Sequence, residues 1–409
     1  MAKKKELRLR HMEEAPFFDF VEEEDRYLFT GDPAKYRFNV IGTGTIGQEH
    51  MRVTELEGRA IVHGLFDLSA KSLAVAQHIF KEHSDRQLVT YPTLEAACND
   101  PAADALIICT PNHTHLDVLK VAVQSGKPIL LEKPMAPNLA DAREIAKIAK
   151  DYVAPIQVGL QYRYKATYAE AIKEVLGRKV LGDVKTVSMA EHRPPFLDKV
   201  GQWNKFAEKS GGTLVEKCCH YFDLMTMFAG ARPTRVFATG NQAVNFVNFE
   251  KNGKKSDILD NAFVTVDYKN GATGAFSLNM FSPSFYEELI VMGDEGRLKA
   301  FEEINTLQDD VLQTGLDILH GEDAISRRIS PRYIDRIETS GHSGATYIEH
   351  ARFVDLIDGK DTDAADCAEG LLAVLVGAAA ELSVATKQPV EIADLINEHD
   401  LEDFLPPEK

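Results

Sequence analysis

The chain has 409 residues, long enough for two domains with cores of their own, and 44% hydrophobic with 27% charged residues is an ordinary globular balance. A net charge of −17 excludes a general nucleic-acid binder and argues against anionic membranes, because phosphate-bearing surfaces repel it. The five cysteines (Cys98, Cys109, Cys218, Cys219, Cys367) are odd in number and form no C-x-x-C pair, which reads as free thiols in a reducing cytoplasm with no metal site.

Residues 1–35 show neither helical nor strand period and read as a tail, with Phe17, Phe18 and Phe20 as its packing residues. Its basic start is followed by an acidic and aromatic stretch, which is not a signal peptide. No run approaches the ~18 apolar residues of a membrane span. From residue 36 strands and helices alternate. Strands are predicted over 37–41, 60–66, 105–109 and 128–132, and helices over 49–57, 69–81, 93–99 and 115–125. That rhythm means parallel βαβ units, a Rossmann-type doubly wound sheet over 36–160. After about residue 160 the strand candidates follow one another: 185–191, 234–240, 262–268, 272–280 and 287–292. Asn270-Gly271 signals a type I′ hairpin, and Asp294-Glu295-Gly296 a second turn. Residues 161–409 therefore read as an α+β substrate and oligomerisation domain with a large, mostly antiparallel open sheet. Helices are predicted over 344–359 and 366–387, the second apolar on every side and so deeply buried.

Gly42-Thr43-Gly44-Thr45-Ile46-Gly47 is a G-x-G-x-x-G loop that follows a predicted strand and opens a predicted helix. The first glycine allows the tight turn, the second admits a pyrophosphate, and the third permits close helix–strand packing. Asp67 lies 20 residues past Gly47 at the end of the second strand, where a carboxylate holds the ribose hydroxyls of NAD and repels the 2′-phosphate of NADP.

Three segments together make a family recognisable. Cys109-Thr110-Pro111-Asn112-His113-Thr114-His115 and Leu131-Glu132-Lys133-Pro134 each end a strand, and Ser210-Gly211-Gly212-Thr213-Leu214-Val215-Glu216-Lys217-Cys218-Cys219-His220-Tyr221-Phe222-Asp223 follows later. With the glycine loop they resemble the Gfo/Idh/MocA oxidoreductases, the glucose–fructose oxidoreductase and inositol dehydrogenase family. The resemblance implies a Rossmann domain followed by an α/β domain whose open sheet often makes homo-oligomer contacts, a dimer or tetramer. It implies an enzyme that uses NAD or NADP on a sugar, polyol or related carbinol, with Asp67 favouring NAD. It assigns catalysis to Lys133 and His220, with Glu216 standing where the family has Asp and Thr213 where it has a third glycine. Thr110, Pro111, Asn112, His115 and Glu132 join the cofactor side.

The residue types suit that chemistry. Hydride transfer from a carbinol needs a base for the hydroxyl proton and gains from a positive group near the developing alkoxide. His220 accepts a proton near neutral pH, and Lys133 serves as an ammonium donor or, with its pKa lowered by burial, as a base. Glu216 and His220, at i and i+4, are expected on one helix face, where Glu216 orients His220 or holds a substrate hydroxyl. His192, Arg193 and Trp203 are expected to line the substrate cleft, the last on a 194–209 loop with plain packing as its alternative, and Arg163 either lines the cleft or pairs with a surface acid. Asn112 and His115 are expected at the nicotinamide ribose, with a helix-cap role for Asn112 or Thr114 as the alternative. The 341–344 stretch reads as a helix-leading turn. The expected substrate is a neutral cyclic polyol, sugar or glycoside oxidised at a ring secondary hydroxyl, because Glu216 would oppose a carboxylate or phosphate. Two other activities are compatible with the resemblance: a glycoside-processing enzyme that retains its NAD, and a non-enzymatic NAD-binding regulator, against which Lys133 and His220 speak.

Overall fold

The computed structural model describes residues 34–409 apart from 83, 197, 305–310, 322–324 and 408–409. The packing expected of Phe17, Phe18 and Phe20 lies outside the described residues.

Six parallel strands form the first sheet: β1 (Tyr36–Ile41), β2 (Ala60–Phe66), β3 (Val89–Thr90), β4 (Ala105–Ile108), β5 (Ile129–Leu131) and β6 (Ile156–Val158). Val40, Ile41, Leu106, Ile107, Ile108 and Leu130 are fully buried. That is why these strands read as unbroken apolar runs rather than alternations: helices cover both faces. The spatial order is β3-β2-β1-β4-β5-β6. It reverses between β1 and β4, so the loops leaving those strands open a crevice at their carboxyl ends. The first helix spans Thr45–Glu57, four residues ahead of the predicted start, because Gly44 is its N-cap and the glycine motif hides its first turn.

The second sheet has nine strands: β7 (Val184–His192), β8 (Pro233–Asn241), β11 (Asn261–Tyr268), β12 (Thr273–Asn279), β13 (Phe285–Gly293), β14 (Gly296–Ile304), β15 (Leu312–His320), β16 (Ile325–Ile329) and β17 (Val390–Glu391). A small hairpin, β9 (Glu250–Lys251) and β10 (Lys254–Lys255), stands apart. The order is β16-β15-β14-β13-β7-β12-β11-β8-β17, and among the described residues only the β7–β12 pair is parallel. The fold is thus α/β, a parallel Rossmann sheet followed by a large and mostly antiparallel one. The turn between β11 and β12 differs from the predicted type I′. Gly271 takes φ +84° while Asn270 stays at negative φ, and the Gly271 amide donates to the Tyr268 carbonyl at 3.0 Å. A type I′ turn needs both central residues at positive φ.

Chain order does not keep the two sheets apart. Helix Ala345–Ile357 returns to the first sheet, with Phe353 against Phe38 at a ring separation of 5.6 Å. Helix Cys367–Thr386 packs on helices Leu139–Asp151 and Cys219–Ala229 and on β8, so it is shared by both sheets. It is also long and apolar enough to cross a membrane, contrary to the sequence expectation that no run comes close. Its apolar residues are spent inside instead: Leu371, Val374, Leu375 and Ala379 are fully buried.

Candidate active site

The cofactor crevice is built from backbone. Gly42 has φ +93°, and a Cβ there would sit 2.7 Å from the Cys109 carbonyl carbon. A Cβ on Gly47 would sit 2.0 Å from the Gly42 oxygen. Glycine is therefore required at both, for the β1–β4 approach and for the helix–strand contact. A Cβ on Gly44 would meet nothing within 4 Å, so this position borders open space. The first intrahelical bond is Gln48 N–H to Gly44 O at 3.0 Å, which leaves the amides of Thr45, Ile46 and Gly47 free of helical acceptors at the helix N-terminus. Asp67 accepts from the Thr43 amide and the Ser69 amide, each at 2.7 Å, which fixes its carboxylate at the end of β2. Leu68 beside it is 94% exposed and offers no cation for a 2′-phosphate.

The loop after β5 is braced from behind. The Lys133 amide donates to Glu132 Oε2 at 3.0 Å, and Glu132 Oε1 lies 2.8 Å from His50 Nε2. Burial opposes a charge on His50, but Cys109 and Glu132 outweigh it and hold the ring protonated well above the usual histidine range. His50 then also donates to His350 Nε2, 2.7 Å away, and burial together with that charge keeps His350 neutral. Glu349 completes the cluster. Its carboxyl oxygens are buried without partners among the described residues, and burial pushes it far up, toward the neutral acid. His50, Glu132 and Glu349 bring ligand atoms within 4.8 Å of one another. A 2.8 Å separation between His50 and Glu132 is a hydrogen bond, however. Two ligands on one zinc with ~2.0 Å bonds stand roughly 3.3 Å apart.

In front of this brace the charged side chains meet. Lys133 Nζ donates to the Glu216 carbonyl at 3.3 Å. Burial works against its charge, but Glu216 outweighs it and Lys133 remains an ammonium. Glu216 accepts from Lys199 Nζ at 2.9 Å. Burial would raise a carboxyl here, yet Lys199 and Lys133 hold it at about 2. His220 lies flat on Tyr162, with centroids 4.0 Å apart and planes 8° apart. Its Nδ1 is buried without a partner among the described residues. Burial, then Lys133 and Lys217, push its pKa well below the ordinary value, so the imidazole is neutral. The Tyr162 hydroxyl accepts from Lys217 Nζ at 2.6 Å, and Lys217 also pairs with buried Glu191 at 3.1 Å. Behind Tyr162, Lys165 lies 4.3 Å from its ring centre and pairs with Glu287 and Glu302.

The glycine cradle, the acid after β2 and the strand order 3-2-1-4-5-6 are joined by direct sequence comparison. Residues 36–160 match the oxidoreductase family model described as an NAD-binding Rossmann fold, and residues 173–392 match the model for its C-terminal alpha/beta domain. The chain belongs to the Gfo/Idh/MocA oxidoreductase family. Its cofactor is NAD, and the free amides and Asp67 are the groups that fit it. Among relatives, the myo-inositol 2-dehydrogenase of Thermotoga maritima is 25% identical over 366 residues, covering 88% of this chain and 99% of that protein. The scyllo-inositol 2-dehydrogenase (NAD(+)) of Bacillus subtilis is 27% identical over 269 residues, covering 64% and 72%. Among solved structures, levoglucosan dehydrogenase in complex with NADH and levoglucosan superposes with a TM-score of 0.72 at 18% identity, covering 87% of this chain and 99% of that one.

Within this Gfo/Idh/MocA oxidoreductase the predicted site residues divide. Lys133, Glu216, His220, Arg193 and Trp203 come together: Lys199 bridges Glu216 and the Trp203 ring, 4.7 Å from its centre. Glu216 and His220 do not share one continuous helix. Glu216 ends helix Thr213–Glu216, Lys217 and Cys218 form a turn, and His220 sits in the first turn of helix Cys219–Ala229. Glu216 faces Lys199 and does not orient His220. Arg163 points elsewhere, held by Asp223 at 2.7 and 2.5 Å and by Glu369 at 3.0 Å. His192 lies on the other face of β7, beside Tyr286, because strand side chains alternate and Glu191 and Arg193 take the inner face. Asn112 donates to the Ser210 carbonyl at 3.2 Å and thereby ties the β4 loop to the segment leading to Glu216. His115 has ring nitrogens 3.1 Å from the Pro134 carbonyl and 2.9 Å from that of Thr110, a brace between the two loops rather than a ribose contact. Neither Asn112 nor Thr114 makes a side-chain cap. The 341–344 turn leads into helix Ala345–Ile357 as expected, and His342 bonds Glu49 at 2.7 Å with its ring 6.3 Å from Tyr162.

Tyr162, Lys199, Glu191 and the role of Lys217 escape sequence reasoning. One signal was available: the inward row Val187, Met189, Glu191 of β7 puts a carboxylate among apolar residues, which demands a buried cation.

Proposed function

We propose that the protein oxidises a ring secondary hydroxyl of a cyclic polyol, sugar or glycoside, with Lys133 and His220 serving the reacting oxygen. The observation that carries this reading is the pairing of a fixed ammonium, Lys133, with a neutral imidazole, His220, whose Nδ1 has no protein partner. NAD supplies the hydride acceptor. The carbinol carbon gives up its hydride, the hydroxyl proton passes to His220, and the carbonyl oxygen forms against the Lys133 ammonium. Tyr162 holds the imidazole plane by stacking, and Lys217 holds Tyr162. The inositol dehydrogenases and levoglucosan dehydrogenase to which the chain is similar support a ring substrate. The test is a panel of inositols, hexoses and glycosides with NAD, followed by identification of the oxidised carbon. Net NADH formation with a ring ketone as product is expected. Glycoside cleavage without net NADH, or turnover confined to acyclic alcohols, would overturn the reading.

The same reading extends to assembly as a homo-oligomer through the outer face of the nine-stranded sheet. Phe237 and Phe263 stand 43% and 64% exposed there. Light scattering that finds only monomer at micromolar concentration would refute this.

A further inference from the structure

The charges at the front of the cleft do not balance. Among the described residues Lys133, Lys199, Lys217 and Arg193 converge there, opposed by Glu216 and Glu191, and burial lowers the pKa of Lys217. The surrounding charges are matched among themselves: Lys205 with Asp198 at 2.6 Å, His50 with Glu132 at 2.8 Å, and Lys165 with Glu287, while burial pushes the second carboxyl beside Lys165, Glu302, upward. Glu216, from which a neutral substrate was expected, is thus no bare charge. Lys199 and Lys133 already neutralise it, and two cations remain unmatched. Arg193 has no close carboxylate of its own among the described residues, and its guanidinium lies 5.4 Å from the Phe196 ring centre. Its Nε donates to the neighbouring Pro194 carbonyl at 3.1 Å, and its Nη1 reaches Glu191 only at 3.4 Å. Its side chain is 20% exposed, and that of Lys199 31%, so neither is sealed in the interior. A half-buried guanidinium whose nearest carboxylate is a single long contact to Glu191 gains from an anion that completes it, and its planar fork matches a carboxylate.

We propose that the substrate carries a carboxylate, bound by Arg193 with Lys199 and Lys217 near. The substrate is then a ring acid, such as a uronic acid or its glycoside, rather than a neutral polyol. This rests on the ring-hydroxyl reading above and narrows it.

The experiment compares matched pairs with NAD: glucose with glucuronate, galactose with galacturonate, and methyl glucoside with methyl glucuronide. Glucose 6-phosphate serves as the phosphate control. The acid of at least one pair is expected to exceed its neutral partner in kcat/KM by about 10-fold or more, the scale of a charged hydrogen bond. The ratio of acid to neutral should fall toward one in Arg193→Ala, chiefly through KM, and shrink as ionic strength rises. Calorimetry on the NADH-loaded protein should show the same order of binding without turnover. Equal or better use of every neutral partner would overturn the carboxylate proposal while leaving ring oxidation standing. Preference for the phosphate over every carboxylate would overturn it as well. Turnover of acyclic alcohols alone would remove the ring reading and this proposal with it.

Discussion

The cofactor end and the substrate end of the cleft are built on different principles. At the cofactor end the working groups are backbone: free amides at a helix N-terminus and glycines whose Cβ atoms have no room. At the substrate end they are long charged side chains gathered from distant segments, namely Lys133, Glu191, Arg193, Lys199, Glu216, Lys217 and His220. A backbone site is fixed by local conformation, so it is steric and tolerates little. A side-chain site is fixed by mutual electrostatics, so changing one group alters the pKa values of the others.

The largest contrast should come from the chemistry. Lys133→Ala and His220→Ala are each expected to lower kcat by roughly 100-fold or more. NADH affinity, followed by fluorescence titration, should change little in His220→Ala. A His220→Ala enzyme with most of its turnover would take that residue out of the reaction. At the other end, Gly47→Ala places a carbon 2.0 Å from the Gly42 oxygen. It should destabilise the fold by more than about 2 kcal/mol and abolish NAD binding. Gly44→Ala should keep its melting temperature yet lose NAD affinity, since its Cβ fills the space left for the pyrophosphate. Equal melting temperatures for the two variants would refute this reading of the cradle.

Asp67→Ala should reduce the preference for NAD over NADP by about tenfold, the worth of a charged hydrogen bond. Tighter binding of NADPH than NADH by the unaltered protein would contradict the role given to Asp67.

The pH profile sharpens the comparison further. His220 has a depressed pKa, caused by burial and then by Lys133 and Lys217. The neutral base is therefore retained as pH falls through 6.5 and lost only well below it. The acid limb of kcat should lie beneath the ordinary histidine value and move up toward it when Lys217→Met removes a neighbouring charge. For stability the sign is the same. Glu216, held at about 2 against an ordinary 4.5, contributes fully above 4.5, and its contribution is lost as pH falls toward 2. The smallest effect is expected from Tyr162→Phe, which keeps the stack on His220 and removes only the oxygen that Lys217 bonds. A change in kcat of a few fold, measured at saturating substrate, fits a positioning role. A loss as large as that of His220→Ala would make Tyr162 a participant in the chemistry.

The sequence by itself determined whatever depends on neighbours along the chain. The glycine loop, Asp67 at its distance of 20 residues from Gly47, and the order of strands and helices are local patterns. So is the place of Lys133, just after the buried strand β5. Tertiary structure decided the rest, because it concerns which side chains meet across hundreds of residues. Glu216 and His220 looked like helix neighbours, but a turn at Lys217 and Cys218 separates them, and Lys199 from a loop takes the carboxylate. Arg163 could not be assigned from its neighbours, since its partners Asp223 and Glu369 arrive on helices from far along the chain. His192 and Arg193 differ by one residue, and strand alternation sends them to opposite faces. Charge balance is the least local property of all: it emerges only when every group facing the cleft is counted. A carboxylate that alone would repel an anionic substrate becomes, between two lysines, part of a site with positive charge to spare.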